Sequence, residues 1–217
     1  MSALTASLLI SPFLETLYMV FVSGLIACVF GLPLGILLFV TRQIHLLPHR
    51  LLNISIGFVV NTVRSIPYII LMIALIPLAR LITGSSIGTN AAIVTLSIAA
   101  IPFVARLVET ALNELPTGLI EAAVAMGATT PQTLWRILIP EALPQLIDGI
   151  TLTLINLVAY SAMAGTIGGG GLGDLAIRYG YQRFDMGVMI ATIVVLVILV
   201  QCIQIGGQYA AQHFNRK

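Results

Sequence analysis

Long apolar runs alternate with short polar segments along this chain. Five runs have about the 20 apolar residues that a helix needs to cross a bilayer, at about residues 17–40, 51–80, 91–108, 146–165 and 186–206. Because lipid offers a peptide group no hydrogen-bond partner, a spanning run must bond within itself, as a helix does. The pattern predicts an all-α integral membrane protein with five transmembrane helices.

Composition indicates the same class. Of 217 residues, 59% are hydrophobic and 8% are charged, whereas a soluble domain has roughly 25% charged residues. The length fits one transmembrane domain, 1–217, without a second folded unit. The apolar composition makes membrane lipid an expected partner. Nucleic acid is not expected, because the net charge is only +2 and the sequence has no basic cluster.

Basic residues set the predicted orientation, because they are more frequent in cytoplasmic loops. One side of the predicted spans has Arg42, Arg50, Arg106, Arg136, Arg216 and Lys217. The other side has Arg80, Arg178 and Arg183. The N-terminus is therefore expected outside and the C-terminus in the cytoplasm.

The segment at about residues 113–141, between the third and fourth spans, is expected to stay in water. Four of its apolar residues follow the i, i+3, i+4, i+7 spacing of one helix face: Leu119, Ala122, Ala123 and Met126. Glu121 points away from that face. Periodicity alone also fits an amphipathic helix that lies on the membrane surface without a protein partner.

Glycine and proline divide the same segment into two short helical pieces. Gly127 has no Cβ and is expected to end the first piece in the left-handed conformation. Thr130 and Pro131 are expected to be the N-cap and first helical position of the second piece.

Several residues inside the spans are candidates for a transport pathway. Ionisable groups are rare within membranes, so Arg64 is interpreted either as a pathway residue or as an ion-paired anchor. Met163 is flexible and polarisable, which suits a gate, although a single methionine also suits ordinary packing. Tyr160 and Ser161 are placed with it as candidate pathway residues.

Two further pairs are interpreted as structural. Gly31 and Gly35 have the small-xxx-small spacing that brings membrane helices close together. Packing inside one subunit is the favoured interpretation, and a contact between subunits is the alternative. Arg106 and Glu109 are three residues apart and are expected to form an ion pair on one helix face.

An ATP site on this chain is not expected. A P-loop needs a lysine that reaches the β and γ phosphates, and the only lysine is Lys217. Gly168–Gly173 formally matches the dinucleotide pattern, but it follows a membrane span and lacks a βαβ context. It is interpreted as a flexible outer loop or as a close backbone approach between spans.

Metal and disulfide chemistry are not expected either. His45 and His49 are four residues apart, but Pro48 interrupts the helix that would align them. Cys28 and Cys202 both lie inside apolar runs, which argues against a disulfide framework or a zinc site.

The 113–141 segment resembles the coupling motif of the permeases of ATP-binding-cassette (ABC) importers. The motif is EAA, three residues, G, nine residues, I-x-L-P, and the chain has Glu121-Ala122-Ala123, Gly127, Ile137 and Pro140 at these offsets. Ile139 stands where the family has Leu. The resemblance implies that Leu119, Glu121, Ala122, Ala123, Met126 and Gly127 dock on a separate ATPase, which binds ATP and Mg²⁺.

A wider resemblance, over about the whole chain, is to the methionine-uptake permeases. It covers Arg64–Ile70, Gly84–Gly88, Pro102–Glu109, Pro116–Ala128, Glu141–Pro144, Tyr160–Met163 and Arg178–Tyr181. It implies a non-enzymatic, multi-pass subunit of the bacterial inner membrane that imports methionine, in the L form and also the D form. The implied partners are two ATPase copies, a second permease copy and an extracytoplasmic binding protein.

Three alternatives remain at this stage. The substrate of such a permease could be another amino acid or a small organic solute. An ion-coupled secondary transporter needs acids near the centres of its spans, and Glu15 and Asp148 lie near span ends. A scaffold protein that transports nothing leaves the coupling motif unexplained.

Overall fold

The computed structural model describes residues 3–42 and 48–214, and within these ranges every regular element is a helix. Two of the turns are π-helical, Leu134–Leu138 and Ala176–Tyr181. The α-helices are α1 Ala3–Val40, α2 Arg50–Ser65, α3 Tyr68–Ala74, α4 Ile76–Thr83, α5 Thr89–Asn113, α6 Thr117–Ala125, α7 Thr130–Thr133, α8 Ile139–Gly165, α9 Gly171–Leu175 and α10 Met186–Phe214.

Four helices in the described residues are long and apolar enough to cross a membrane. They are Leu8–Val40, Thr89–Asn113, Thr130–Gly165 and Met186–Phe214, and the bent pair Arg50–Ser65 with Tyr68–Ala74 gives a fifth candidate. The chain is thus an all-helical membrane protein with four or five spans. The helices of the first, third, fourth and fifth runs all extend beyond the expected spans, because residues outside those runs continue the same helical hydrogen bonding.

The bundle is organised around α5, the most buried of the candidate spans. Helix α1 packs along α5 through Gly31 and Gly35. A Cβ at Gly31 would lie 2.7 Å from Cβ of Val104, and one at Gly35 would lie 2.5 Å from the carbonyl oxygen of Ala105. The small-xxx-small pair therefore packs inside one chain, which confirms the favoured interpretation.

The helices alternate in direction. Helices α1 and α5 run parallel, because Tyr18 lies beside Asn90 near their starts and Arg42 bonds Asn113 at their ends. Helices α2 and α8 run the opposite way, and α10 runs with α5. Asn61 bonds Arg106, and Arg64, later in α2, lies over Phe103, earlier in α5, so these two helices are antiparallel. Gly149 lies beside Leu107, whereas Ala164, later in α8, lines one cavity with Ala91 and Ala92, so α8 is also antiparallel to α5. Helix α10 lies beside Gly180 at Met189 and beside Thr151 of α8 at Gly207, so it runs opposite to α8. We call the two ends of the bundle the α6 end and the α9 end.

The second apolar run, expected at about residues 51–80, is not one continuous helix. It is divided into α2, α3 and α4, and α2 meets α3 at 104°. The cause lies at Ile66 and Pro67, which adopt extended conformations with ψ of 124° and 134°. Proline lacks an N–H and disfavours helical geometry in the residue before it. The break turns the chain and brings Tyr68 into the core at 6% exposure.

The second helical piece of the 113–141 segment is not separate from the fourth span. Its N-cap is Thr129, not Thr130, and the N–H of Thr129 donates to Oε1 of Gln132 at 2.9 Å. The helix then continues through the π-helical turn into α8, as Thr130–Gly165. A proline ring clashes with the carbonyl four residues earlier, and the wider π turn just before Pro140 makes room for it.

Adding a methyl group to a glycine at the α1–α5 contact is expected to destabilise the fold. We expect Gly35→Ala to lower the free energy of unfolding by about 1–3 kcal/mol, because the added methyl group meets backbone that cannot move independently. The control is Gly206→Ala on α10, where a Cβ has no neighbour within 4 Å. Thermal unfolding in detergent measures both, and equal midpoints for the two variants would contradict the prediction.

Candidate functional site

Helix α6 ends in a fully hydrogen-bonded left-handed turn at Gly127. Its φ is +76°. The N–H of Gly127 donates to the carbonyl of Val124 at 2.9 Å, and the N–H of Ala128 donates to that of Ala123 at 3.0 Å. This pair of bonds is the Schellman motif that ends a helix on a glycine. The prediction that Gly127 ends the first helical piece is confirmed.

The expected apolar face of α6 is divided between the interior and the surface. Ala123 is fully buried in this chain, and Leu119 is half-buried against the main hydrophobic cluster. In contrast, Glu121 and Ala122 are exposed, and Met126 is 75% exposed. Of the six residues expected to dock on a partner, Leu119 and Ala123 hold α6 to its own chain, and the other four, which include Gly127, are exposed.

The residues after α6 continue its surface into α8. Ile137 is half-buried, Pro140 is exposed, and Ile139 packs against the main cluster. Isoleucine keeps the volume of leucine, so the departure from the motif at Ile139 is accommodated by packing. A groove of about 720 Å³ lies beside Pro140, between the start of α6, the start of α8 and Phe214 of α10.

The candidate pathway residues lie near the α9 end of α8 in different environments. Tyr160 is half-buried, and Ser161 is buried with its Oγ donating to the carbonyl of Val158 at 2.7 Å. Met163 is 43% exposed. Ser161 thus has a partner inside its own helix, and Met163 projects from the surface of this single chain.

Arg64 lies one residue before the end of α2. Its guanidinium carbon is 5.8 Å from the centroid of the Phe103 ring on α5, a cation–π distance. The salt bridges among the described residues are those of Arg106 with Glu109 and of Arg178 with Asp174. Among the described residues no salt bridge to Arg64 is present, and its role, as a pathway residue or as an ion-paired anchor, stays a prediction.

The Arg106–Glu109 pair is present, which confirms that prediction. Nη1 of Arg106 lies 2.5 Å from Oε2 of Glu109. The same guanidinium also donates from Nη2 to Oδ1 of Asn61 at 2.8 Å. The pair thus ties α5 to α2 at the α6 end.

The other candidates have structural contacts. His49 caps α2, since its Nδ1 accepts from the N–H of Leu52 at 3.3 Å, while His45 lies outside the described residues. Cys28 and Cys202 are free. Over residues 3–42 and 48–214, His, Cys, Asp and Glu form no group of three that could hold a metal ion.

The glycine-rich loop brings two backbones together. Gly168, Gly170 and Gly171 have positive φ values of 83°, 81° and 77°. A Cβ at Gly173 would lie 2.4 Å from Cα of Ala162 on α8. This confirms a close backbone approach, which the short helix α9 makes to the span α8.

A family described as "Binding-protein-dependent transport system inner membrane component" matches residues 31–216. The chain belongs to this family. As an inner membrane component with several apolar helices, it is a multi-pass protein of the bacterial inner membrane.

Individual relatives of this inner membrane component have specific names. It is 54% identical, over 93% of its length and 90% of the relative's, to "Probable D-methionine transport system permease protein MetI" of Vibrio cholerae. It is 53% identical, over 73% of each chain, to "D-methionine transport system permease protein MetI" of Escherichia coli K12. A chain in a crystal structure of "the MetNI methionine ABC transporter", in inward-facing conformations, shares 49% identity, a TM-score of 0.97 and full coverage of both chains.

Sequence reasoning missed one residue beside the candidate pathway of this inner membrane component. Tyr68, the first residue of α3, stacks on Tyr160 with ring centroids 4.6 Å apart and planes 12° apart. Its hydroxyl lies 3.2 Å from Oγ1 of Thr95. Since that threonine hydroxyl already donates to the carbonyl of Ala92 at 3.0 Å, Tyr68 is the donor. The signal for Tyr68 was its position directly after Pro67, where the helix has to break.

The hydrogen bond from Tyr68 is expected to couple α3 energetically to α5. Tyr68→Phe keeps the stack and removes the donor, while Thr95→Val removes the acceptor. We expect the two effects on the free energy of unfolding to be non-additive by about 0.5–1.5 kcal/mol, the net value of one hydrogen bond. Unfolding of the two single variants and the double variant measures this, and strict additivity would refute the coupling.

Proposed function

We propose that this chain is the transmembrane permease subunit of an ATP-driven importer that brings methionine, L and D, and related amino acids into the cytoplasm. The observation that carries the proposal is the likeness to a chain of the MetNI methionine ABC transporter, at 49% identity and a TM-score of 0.97 over the full length of both chains. The names of the V. cholerae and E. coli relatives also support methionine as the substrate.

Two permease chains and two ATPase subunits form the proposed complex, and an extracytoplasmic binding protein delivers the amino acid. The ATPase subunits bind ATP and Mg²⁺, and this chain binds neither and is not an enzyme. The residue before Lys217 supports this division, because a P-loop lysine directly follows a glycine and Lys217, the only lysine in the sequence, follows Arg216.

The α6 end of the bundle faces the cytoplasm in this proposal. Four basic residues lie at or near that end, in keeping with the excess of Lys and Arg in cytoplasmic loops: Arg42, Arg50, Arg106 and Arg136. The N-terminus of α1 is then outside and the C-terminus of α10 inside. The parallel course of α1, α5 and α10 supports the same assignment.

Helix α6 is the proposed coupling helix. Its exposed residues Glu121, Ala122 and Met126 contact the ATPase, while Leu119 and Ala123 attach the helix to the permease and Gly127 fixes the turn into α7. Small side chains on the exposed face let another backbone approach closely. The continuous helix Thr130–Gly165 then connects the docking region to Tyr160, Ser161 and Met163, which we propose as pathway and gate residues together with Arg64.

Transport follows from two states with different affinities for nucleotide. ATP binding closes the ATPase pair, moves the coupling helices and opens the pathway outward. Hydrolysis returns the permease to the inward-facing state. A ligand shifts such an equilibrium only as far as its affinities for the two states differ, so nucleotide must bind the closed ATPase pair more tightly.

Reconstituted uptake tests the proposed function. The chain, purified with its ATPase partner, is placed in proteoliposomes with the binding protein outside and labelled methionine as substrate. We expect accumulation with ATP inside and none with a non-hydrolysable analogue. Uptake driven by an ion gradient without ATP would contradict the proposal, and ATP-driven uptake of a different solute in preference to methionine would contradict the substrate.

Substitution at Gly127 tests the coupling role of α6. Gly127→Val forces a β-branched residue into the left-handed region, so we expect uptake per ATP hydrolysed to fall by about tenfold, since a misplaced docking helix weakens the link between the two states. Gly127→Asn is the matched control, because asparagine tolerates this conformation. A Cβ at Gly127 has no neighbour within 4 Å, so conformation rather than collision separates the two variants. Equal coupling in both would remove support for the docking role.

A further inference from the structure

Helix α9 is held by two side chains of α1 that are distant in sequence. Oε2 of Glu15 accepts a hydrogen bond from the N–H of Gly171 at 2.7 Å. Oγ1 of Thr16 accepts one from the N–H of Leu172 at 2.8 Å. These are the first two amides of α9, which have no acceptor inside their own helix. We call Glu15 and Thr16 the α9 clamp.

The α9 clamp leaves no space for a side chain at the two glycines that begin α9. Thr16 and Leu172 are fully buried. A Cβ at Gly170 would lie 2.7 Å from Oε2 of Glu15, and one at Gly171 would lie 2.6 Å from Oγ1 of Thr16. Two glycines in the left-handed region thus let the α9 amides reach α1, and the bond from Leu172 to Thr16 lies in the buried interior.

Helix α9 in turn contacts the end of α8 backbone to backbone. A Cβ at Gly165 would lie 2.3 Å from the N atom of Asp174, and one at Gly173 would lie 2.4 Å from Cα of Ala162. Met163 lies between these two α8 positions, and its side chain is 43% exposed. The clamp therefore fixes α9, and α9 fixes the turn of α8 that carries Met163.

The loop before α5 joins the same assembly. The N–H of Gly88 donates to the carbonyl of Gly168 at 3.0 Å, so the glycine loop is attached on one side to α5 and on the other to α1. A charged acceptor makes a stronger hydrogen bond than a neutral one. Glu15 is the acidic acceptor in this set of contacts, so its bond is expected to be the stronger of the two that the α9 clamp makes.

We propose that Glu15 and Thr16 are positioning residues that hold α9 against α8 and thereby keep the α9 end of the pathway closed while the importer faces inward. This inference rests on the proposed function for the closure, but the attachment of α9 to α1 stands without it. Loss of the clamp frees α9, loosens the turn of α8 around Met163 and lets substrate pass without ATP.

Thiol reactivity tests the attachment independently of transport. In a background with Cys28→Ser and Cys202→Ser, a reporter cysteine replaces buried Leu172, and maleimide labelling is followed in the purified complex in detergent. We expect Glu15→Ala to raise the labelling rate by about tenfold or more, the cost of a lost charge-assisted bond. Thr16→Val raises it by about 2- to 10-fold, as for a neutral bond.

Two variants make the labelling test selective. Glu15→Gln keeps an acceptor oxygen without the charge and is expected to label at a rate between those of the parent and Glu15→Ala. Ser11→Ala removes a hydroxyl that lies 3.4 Å from Oε1 of Glu15 without touching α9, and is expected to label like the parent. Unchanged labelling in both Glu15→Ala and Thr16→Val overturns the clamp, and so does equal acceleration by Ser11→Ala.

Transport measurements test the closure. In proteoliposomes without ATP, we expect Glu15→Gln to release loaded methionine about twofold faster or more than the parent, in line with a weakened hydrogen bond. In a separate assay with ATP, we expect hydrolysis per complex to be unchanged. A purely structural role would lower uptake and hydrolysis together and leave leak unchanged, which overturns the closure. If the parent complex itself imports no methionine, the proposed function fails, and the labelling result still decides the clamp.

Discussion

Hydrogen bonding of the backbone in a medium without water is the constraint on which this structure depends. Every peptide group within the hydrocarbon needs a partner in the protein, and long helices supply it almost everywhere. The informative places are those where a helix stops. At Ile66 and Pro67 the chain turns by 104°, and around Gly168 the loop bonds to Gly88 on one side and, through Gly171, to Glu15 on the other. Each interruption has a specific set of acceptors.

Glycines set the distances in the bundle. Gly31 and Gly35 let α1 lie against α5, and Gly165 and Gly173 let α8 lie against α9. Between lipid-facing helices there is little hydrophobic driving force, so close van der Waals contact has to stabilise the association. Because these contacts pack the interior closely, helices cannot slide past one another gradually. Such packing favours a few discrete arrangements of whole helices.

Much of the fold follows from the sequence, because apolar length and helical hydrogen bonding are local properties. Residue type and spacing predict the all-helical class, the Arg106–Glu109 pair and the left-handed turn at Gly127. They also predict that Gly31 and Gly35 pack α1 against another helix of the same chain. The break at Pro67 was not predicted, because the apolar length of a run gives the extent of a span and not the continuity of its helix.

The candidate site was less predictable, because burial depends on the rest of the chain. Periodicity placed Ala122 and Ala123 on one face, yet one is exposed and the other fully buried, since α6 lies against its own bundle. Tyr68 and Glu15 act through partners 27 and 156 residues away, and no local pattern encodes such a distance. Thr129 and Thr130 both suit an N-cap, and the side chain of Gln132 selects Thr129.

The fusion of α7, the π-helical turn and α8 into one helix has a mechanical consequence. Thr130–Gly165 contains 36 residues, which at 1.5 Å per residue is a rod of about 54 Å. A rod of that length converts a tilt of about 10° at its foot into a displacement of about 9 Å at its tip. A push beside Gly127 that tilts the whole rod thus moves Met163 by more than the width of an amino-acid side chain.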